Sequence, residues 1–237
     1  MPPLYSIILP YFNEEGNVPL IETELLPAAR RLAGPCEIVA VDDGSADATA
    51  ARLEELARRC GDIRLLRHER NRGMGAALRT GFEAARGEWV ITMDSDCTFH
   101  PRLIQALVER QAQTGADCVS GSHIQGGMRG VSALRAWPSY LVNRFYRGLL
   151  SRRISAYTAV FRLYRRRVLM ELPLRCEGYE INAEILAFFI LRGYHVEETP
   201  AELTVRRWGS SKMRAWRELG RHVRLARRII LGFGKRK

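Results

Sequence analysis

The sequence predicts an α/β protein, a mostly parallel sheet wound on both faces by helices. Three observations predict it. Apolar, β-branched runs alternate with amphipathic stretches through the first 122 residues, the pattern of strand–helix–strand crossovers. Three of those runs end in polar clusters, Asn13-Glu14-Glu15, Asp42-Asp43 and Asp94/Asp96. Sheets of this kind bind ligands beyond the carboxyl ends of their strands. The 237 residues, 46% hydrophobic and 27% charged, suffice for one sizeable core, without repeats or linkers.

The elements follow in order. LYSIILP (4–10) is a first strand ending in Pro. EIVAVDDGS (37–45) is a second, stopped by Asp-Asp-Gly-Ser. Residues 46–60 place Leu53, Leu56, Ala57 and Cys60 at helical spacing. IRLLRH (63–68) is a third strand, GMGAALRTGFEAARG (73–87) a helix between glycines, and EWVITMD (88–94) a fourth strand. Pro101 opens another helix, since Pro suits a first helical turn, and DCVSGS (117–122) is a fifth strand. Beyond it the pattern changes. GGMRG (126–130) reads as a flexible loop, 131–150 as a basic, aromatic amphipathic helix, and FRLYRR (161–166) as a strand. Helices are expected near 165–172 and 178–192, an extended edge segment over 195–205, and a helical tail from Lys212.

Charge is divided along the chain. Residues 1–100 hold 11 Arg against 16 Asp+Glu, and residues 101–237 hold 26 Lys+Arg against 10 Asp+Glu. The basic half is expected to face something anionic. Only Lys212, Lys235 and Lys237 are lysines, and arginine's planar fork suits phosphate and carboxylate. Nucleic acid is set aside, because no nucleic-acid motif accompanies the charge and acidic strand ends repel a phosphate backbone. Five scattered cysteines without a CxxC fit a reduced, cytoplasmic compartment. No run approaches the roughly 18 apolar residues of a membrane span. In the tail, Trp216, Leu219, Val223, Ala226, Ile230 and Phe233 form one apolar stripe, flanked by ten Lys/Arg and one Glu. Such a helix can lie in the interface of an anionic membrane. Residues 131–150 offer a second contact through Trp137, Tyr140, Phe145 and Tyr146. A peripheral membrane protein is expected.

Asp94 and Asp96 sit at positions i and i+2 of a strand end, so both can aim at one ligand. Two close carboxylates repel unless a cation lies between them. A hard ion such as Mg²⁺ or Mn²⁺ takes oxygen ligands and keeps sites open for phosphates. Cys97 is too soft for that ion, and His100 reads as structural before Pro101.

LPYFNEEGNV, VDDGSADAT, NRGMGAALRTGFEAARG, DSDCTFHP, GSHIQGG and RRWGSSK follow in this order. Over roughly residues 4–213 the chain resembles the family-2 inverting glycosyltransferases of GT-A fold, a Rossmann-like parallel sheet flanked by helices. It is most similar to polyprenyl-phosphate sugar synthases of the dolichyl-phosphate mannose synthase type. The resemblance implies a GT-A domain over 1–211, with a nucleotide-sugar half to about 122 and an acceptor half to 211, followed by the 212–237 helix. It implies that Pro10, Phe12, Asn13 and Glu14 line the nucleotide, that Asp42 and Asp43 hold base and ribose, and that Asn71, Gly73 and Gly75 let the backbone pass beneath it. Asp94 and Asp96 match the metal-binding pair. Arg206 and Lys212 match cations that meet the donor diphosphate or acceptor phosphate. Arg135 lies nearest the acceptor-side arginine, with Arg129 and Arg144 as further candidates. His123 takes a ligand-facing position where the family has Arg. The family's third metal contact, a Gln, is missing from Cys97–Pro101, and Ala156 replaces a later Asp. These departures favour a related branch over the mannose enzyme itself.

The implied reaction moves a hexose from a GDP- or UDP-sugar to a polyprenyl phosphate at the cytoplasmic membrane face. A lipid phosphate is already anionic and needs no general base. Two alternatives stay open: a hydroxyl acceptor on a glycan or glycolipid, with Glu180 or Glu184 as nearest base, and nucleotide-sugar binding without turnover.

Overall fold

The computed structural model describes residues 2–131, 133–209 and 215–233. Among the described residues nine strands form: β1 (Tyr5–Tyr11), β2 (Cys36–Asp42), β3 (Ile63–Arg67), β4 (Trp89–Thr92), β5 (Cys118–Ser122), β6 (Met128–Arg129), β7 (Arg162–Arg165), β8 (Val196–Pro200) and β9 (Leu203–Thr204). The helices are α1 (Leu26–Ala29), α2 (Thr49–Arg59), α3 (Met74–Ala84), α4 (Ile104–Thr114), α5 (His123–Gly126), α6 (Ala133–Leu149), α7 (Arg166–Met170), α8 (Ile181–Leu191) and α9 (Ala215–Phe233).

Seven strands make one sheet in the order β3-β2-β1-β4-β7-β5-β8. β7 runs antiparallel to both neighbours, β4 and β5, and every other pairing is parallel. The sequence reading of a mostly parallel α/β sheet holds. Successive residues of β1 sort to opposite faces. Ile7 and Leu9 join one apolar cluster with Ile38, Leu53 and Leu56. Ile8 joins the other with Val39, Leu78, Tyr164 and Phe189. Burial on both faces explains why these strands read as unbroken apolar runs.

Register sets the polar edge. Tyr11 pairs with Asp42 and Ile8 with Thr92. The residues after β1, β2 and β4 therefore emerge together at one edge of the sheet.

Two expectations are corrected. The fourth strand stops at Thr92, so Asp94 and Asp96 lie in the turn beyond it. The expected loop at 126–130 contains β6, because its backbone pairs with β9, and the expected 195–205 segment divides into β8 and β9. The expected apolar stripe of the tail divides: Ala226 is buried, and its other described side chains are exposed. α9 buries Glu218, His222, Leu225, Ala226 and Ile229. Leu219, Val223 and Ile230 are exposed. The polar pair chooses this face: Glu218 accepts from the Tyr179 N–H at 3.3 Å, and His222 Nδ1 lies 3.2 Å from the Tyr146 hydroxyl. No helix among the described residues is long and apolar enough to cross a membrane.

Candidate active site

A cavity of about 980 Å³ opens at the polar edge. The ends of β1 and β4 reach it through Pro10, Phe12, Glu14, Asp94 and Asp96. Asn71, Gly73 and Asp43 line another wall, and His123 and Arg206 line it from the C-terminal half.

Asp96 is buried; its Oδ1 accepts from the Thr98 N–H at 3.1 Å, and its Oδ2 lies 3.1 Å from Arg206 Nη2. Arg206 also reaches Glu14, at 3.7 Å. The reason for this placement is local. β9 is laid against the turn after Asp96: the Thr204 N–H and hydroxyl both donate to the Thr98 carbonyl, at 2.8 and 3.0 Å. Two residues later the chain delivers the guanidinium. Burial, and then the Asp96 charge, push the Asp94 carboxyl up to about 8, against the opposing pull of Arg206. Such a pair calls for added positive charge.

Two oxygen-bearing side chains at one cavity wall fit a hard divalent ion. Asp94 and Asp96 would hold it. Among the described residues no group of three or more His, Cys, Asp or Glu could do so. A two-carboxylate site suits Mg²⁺, which completes its shell with water and substrate phosphates.

Of the two aspartates at the second strand end, Asp43 lines the cavity and Asp42 does not. Asp42 is fully buried, is not a lining residue, and accepts from the Ser45 N–H at 3.2 Å. Asp43 accepts from the N–H groups of Arg72 and Gly73, at 2.9 and 2.7 Å, and lies 2.6 Å from His68 Nδ1. Asp43 thus pins the 70–73 loop beneath the cavity. Asn13 holds the neighbouring turn, its Oδ1 accepting from the Ala46 N–H at 2.7 Å. Gly73, at φ +94, and Gly75 admit another piece of this same chain. A Cβ on Gly73 would collide with the Glu177 carbonyl, and one on Gly75 with that of Cys176.

His123 is buried at the cavity with an Nδ1 that has no hydrogen-bond partner. Burial, and then Arg162, hold its pKa down to about 4, so it presents a neutral ring. Arg162 is fully buried and donates to four neutral oxygens, those of Ser120 Oγ and the Asn182, Ala156 and Tyr157 carbonyls, at 2.6–3.0 Å. His100 caps the turn at Pro101, its Nδ1 accepting from the Arg102 N–H at 3.1 Å.

Lys212 and the side chain of Arg135 lie outside the described residues. Arg129 pairs with Glu202 at 3.0 Å, and neither it nor Arg144 lines the cavity. The basic residues that sequence reasoning missed are Arg70 and Arg72 of the Asn71 loop, and Arg217 and Arg221 of α9, which line it beside Tyr179 and Glu218. Glu180 and Glu184, weighed as bases, are not lining residues. Glu184 is fully buried and accepts from the N–H groups of Arg175 and Cys176.

The sheet order, the polar edge and the paired aspartates agree with the model of one family, "Glycosyl transferase family 2", which matches residues 6–172. The chain belongs to this family. Among curated relatives of this chain is the undecaprenyl-phosphate 4-deoxy-4-formamido-L-arabinose transferase of Pseudomonas paraeruginosa, 38% identical over 218 residues and 91% of this chain. The protein of the same name from Pseudomonas aeruginosa is 37% identical over 217 residues. The chain spans 62% of the length of these relatives. In fold, this family-2 chain is similar to glucosyl-3-phosphoglycerate synthase from Mycobacterium tuberculosis, solved with Mn²⁺, UDP and glucosyl-3-phosphoglycerate, with a TM-score of 0.71 and 24% identity, over 97% of this chain and 79% of that one. The same enzyme solved with Mg²⁺ and UDP gives 0.70.

Proposed function

We propose that this glycosyl transferase moves a sugar from a nucleotide diphosphate to a polyprenyl phosphate at a membrane surface, inverting the anomeric carbon in one in-line displacement. The observation that carries the reading is the meeting of Asp94, Asp96 and Arg206 at one cavity wall, in a chain 38% identical to an undecaprenyl-phosphate sugar transferase. Residues 1–122 would hold the donor and 123–211 the acceptor. Glu14, Asn71 and Gly73 border the nucleotide, and Asp94 and Asp96 face its diphosphate. Arg206, with Lys212, neutralises charge on the leaving phosphate. A divalent cation, when bound, adds Lewis-acid stabilisation of that same charge. Neutral His123 offers a hydrogen bond without adding charge. A phosphate acceptor is already anionic, which suits a site whose two candidate bases, Glu180 and Glu184, stand off the cavity.

The membrane part of the reading is supported by adjoining exposed faces. α6 presents Trp137, Tyr140 and Phe145, and α9 presents Leu219, Val223 and Ile230. The Tyr146–His222 contact joins the two helices. Apolar and aromatic side chains ringed by arginine suit an anionic interface. The sugar in the name of the Pseudomonas relatives is an arabinose derivative, so pentoses join the expected hexoses as donors to be tested.

The test is incubation of the protein with Mg²⁺, radiolabelled UDP- and GDP-linked pentoses and hexoses, and undecaprenyl phosphate in detergent, followed by lipid extraction. Label in the lipid is expected, and Asp96→Ala should reduce it about 10²–10³-fold. Retained nucleotide-sugar binding without lipid label would refute the lipid acceptor.

A further inference from the structure

The cavity's glycine-bearing wall is backed by a strap of chain, residues 174–178, that no expectation assigned a role. On its inner side the strap meets the turn before α3. The Gly75 N–H donates to the Glu177 carbonyl at 2.7 Å, and Arg79 donates to the Cys176 carbonyl. There is no room for a side chain at Gly73 or Gly75, so strap and turn move together or lose contact. On its outer side the strap is held by Glu184 of α8. That carboxylate accepts from the Arg175 N–H at 3.1 Å and the Cys176 N–H at 2.8 Å. Glu184 is wholly buried, and its ion pair is with Arg228, a partly buried residue of α9. A second attachment joins Glu218 of α9 to the Tyr179 N–H. Named atoms thus connect the C-terminal helix to the Asn71–Gly75 turn without a gap: Arg228, Glu184, the strap backbone, Gly75.

A carboxylate buried this fully needs its partner, because removing one member of a buried pair leaves an uncompensated charge. Loss of Arg228 would leave Glu184 with backbone N–H groups and the Cys176 thiol but no cation, and loosen the strap those groups belong to.

We propose that Glu184 and Arg228 are positioning residues for the nucleotide end of the cavity: through the 174–178 strap, the seating of α9 fixes the turn at Gly73 and Gly75. The effect on nucleotide affinity rests on the functional reading above; the effect on the turn does not.

The test compares native protein with Arg228→Gln. Arg227→Gln serves as control, because it removes the same charge from an exposed neighbour on the same helix. Amide hydrogen exchange is read by mass spectrometry, without ligand and well below the unfolding temperature, so that local opening is what is measured. Affinity for UDP and for GDP is then measured with Mn²⁺ present. In Arg228→Gln, exchange is expected to rise in peptides covering 71–78 as well as in the strap, and Arg228→Lys is expected to restore part of the protection. Nucleotide affinity should weaken about 5–10-fold, the low end of coupling between linked sites, with Arg227→Gln unchanged in both measurements. Faster exchange confined to α9 and the strap, with 71–78 as in the native protein, would overturn the proposal. Faster exchange at 71–78 in a protein that binds neither nucleotide would uphold the positioning role and refute the nucleotide reading.

Discussion

Arg206 occupies the position where a bound cation would be most useful. Its guanidinium lies 3.1 Å from Asp96 Oδ2 and within ion-pairing distance of Glu14, so it compensates the carboxylates at that wall. A divalent ion must compete with it for Asp96. Arg206→Gln is therefore expected to tighten Mn²⁺ binding by the nucleotide-free protein, by up to roughly tenfold for about 1.4 kcal/mol of competition, while slowing transfer. Calorimetric titration with Mn²⁺ checks this; equal or weaker binding by the variant would contradict it. Two buried histidines make a separate prediction. His123 and His222 are both held down to about 4, chiefly by burial. Each stays neutral in the folded chain while the unfolded chain protonates near 6.5. The unfolded state thus binds more protons between pH 6.5 and 4, and stability falls as pH drops through that window. The contribution is on the order of 1–3 kcal/mol per histidine. His222→Gln should flatten the decline in denaturation midpoint between pH 7 and 4.5.

At the scale of elements, β1, β2 and β4 were legible because burial on both faces imposes apolar, β-branched runs such as SIIL and IVAV. The aspartates after β4 were legible because polar strand ends in parallel sheets mark ligand edges. What the glycines of the Asn71–Gly75 turn accommodate was not legible: Gly75 meets a strap about a hundred positions along the chain, and no local pattern announces that. The face on which α9 seats was not legible for a related reason: buried Glu218 and His222 fix it through partners on other elements. The turn gives its own prediction. Gly75→Ala forces a Cβ into the Cys176 carbonyl and is expected to cost about 1–3 kcal/mol, the range for overpacking, with nucleotide affinity falling alongside. Thermal denaturation and nucleotide titration report the two effects.

At the scale of the molecule, strands from the acidic first hundred residues and from the basic remainder share one sheet. Leu219→Glu with Val223→Glu alters two exposed positions of α9, so the fold should survive. Capture on vesicles containing anionic lipid should be lost, as read by co-sedimentation; undiminished capture would place the contact elsewhere. Arg162 gives the whole its last consequence. Its guanidinium is fully buried among neutral oxygens, beyond the reach of mobile counter-ions, whereas most arginines of α9 stand in solvent. Ionic strength screens exposed charges over about 8–10 Å and buried ones far less. Raising salt should therefore weaken whatever the exposed α9 arginines attract while leaving the Arg162 contacts intact.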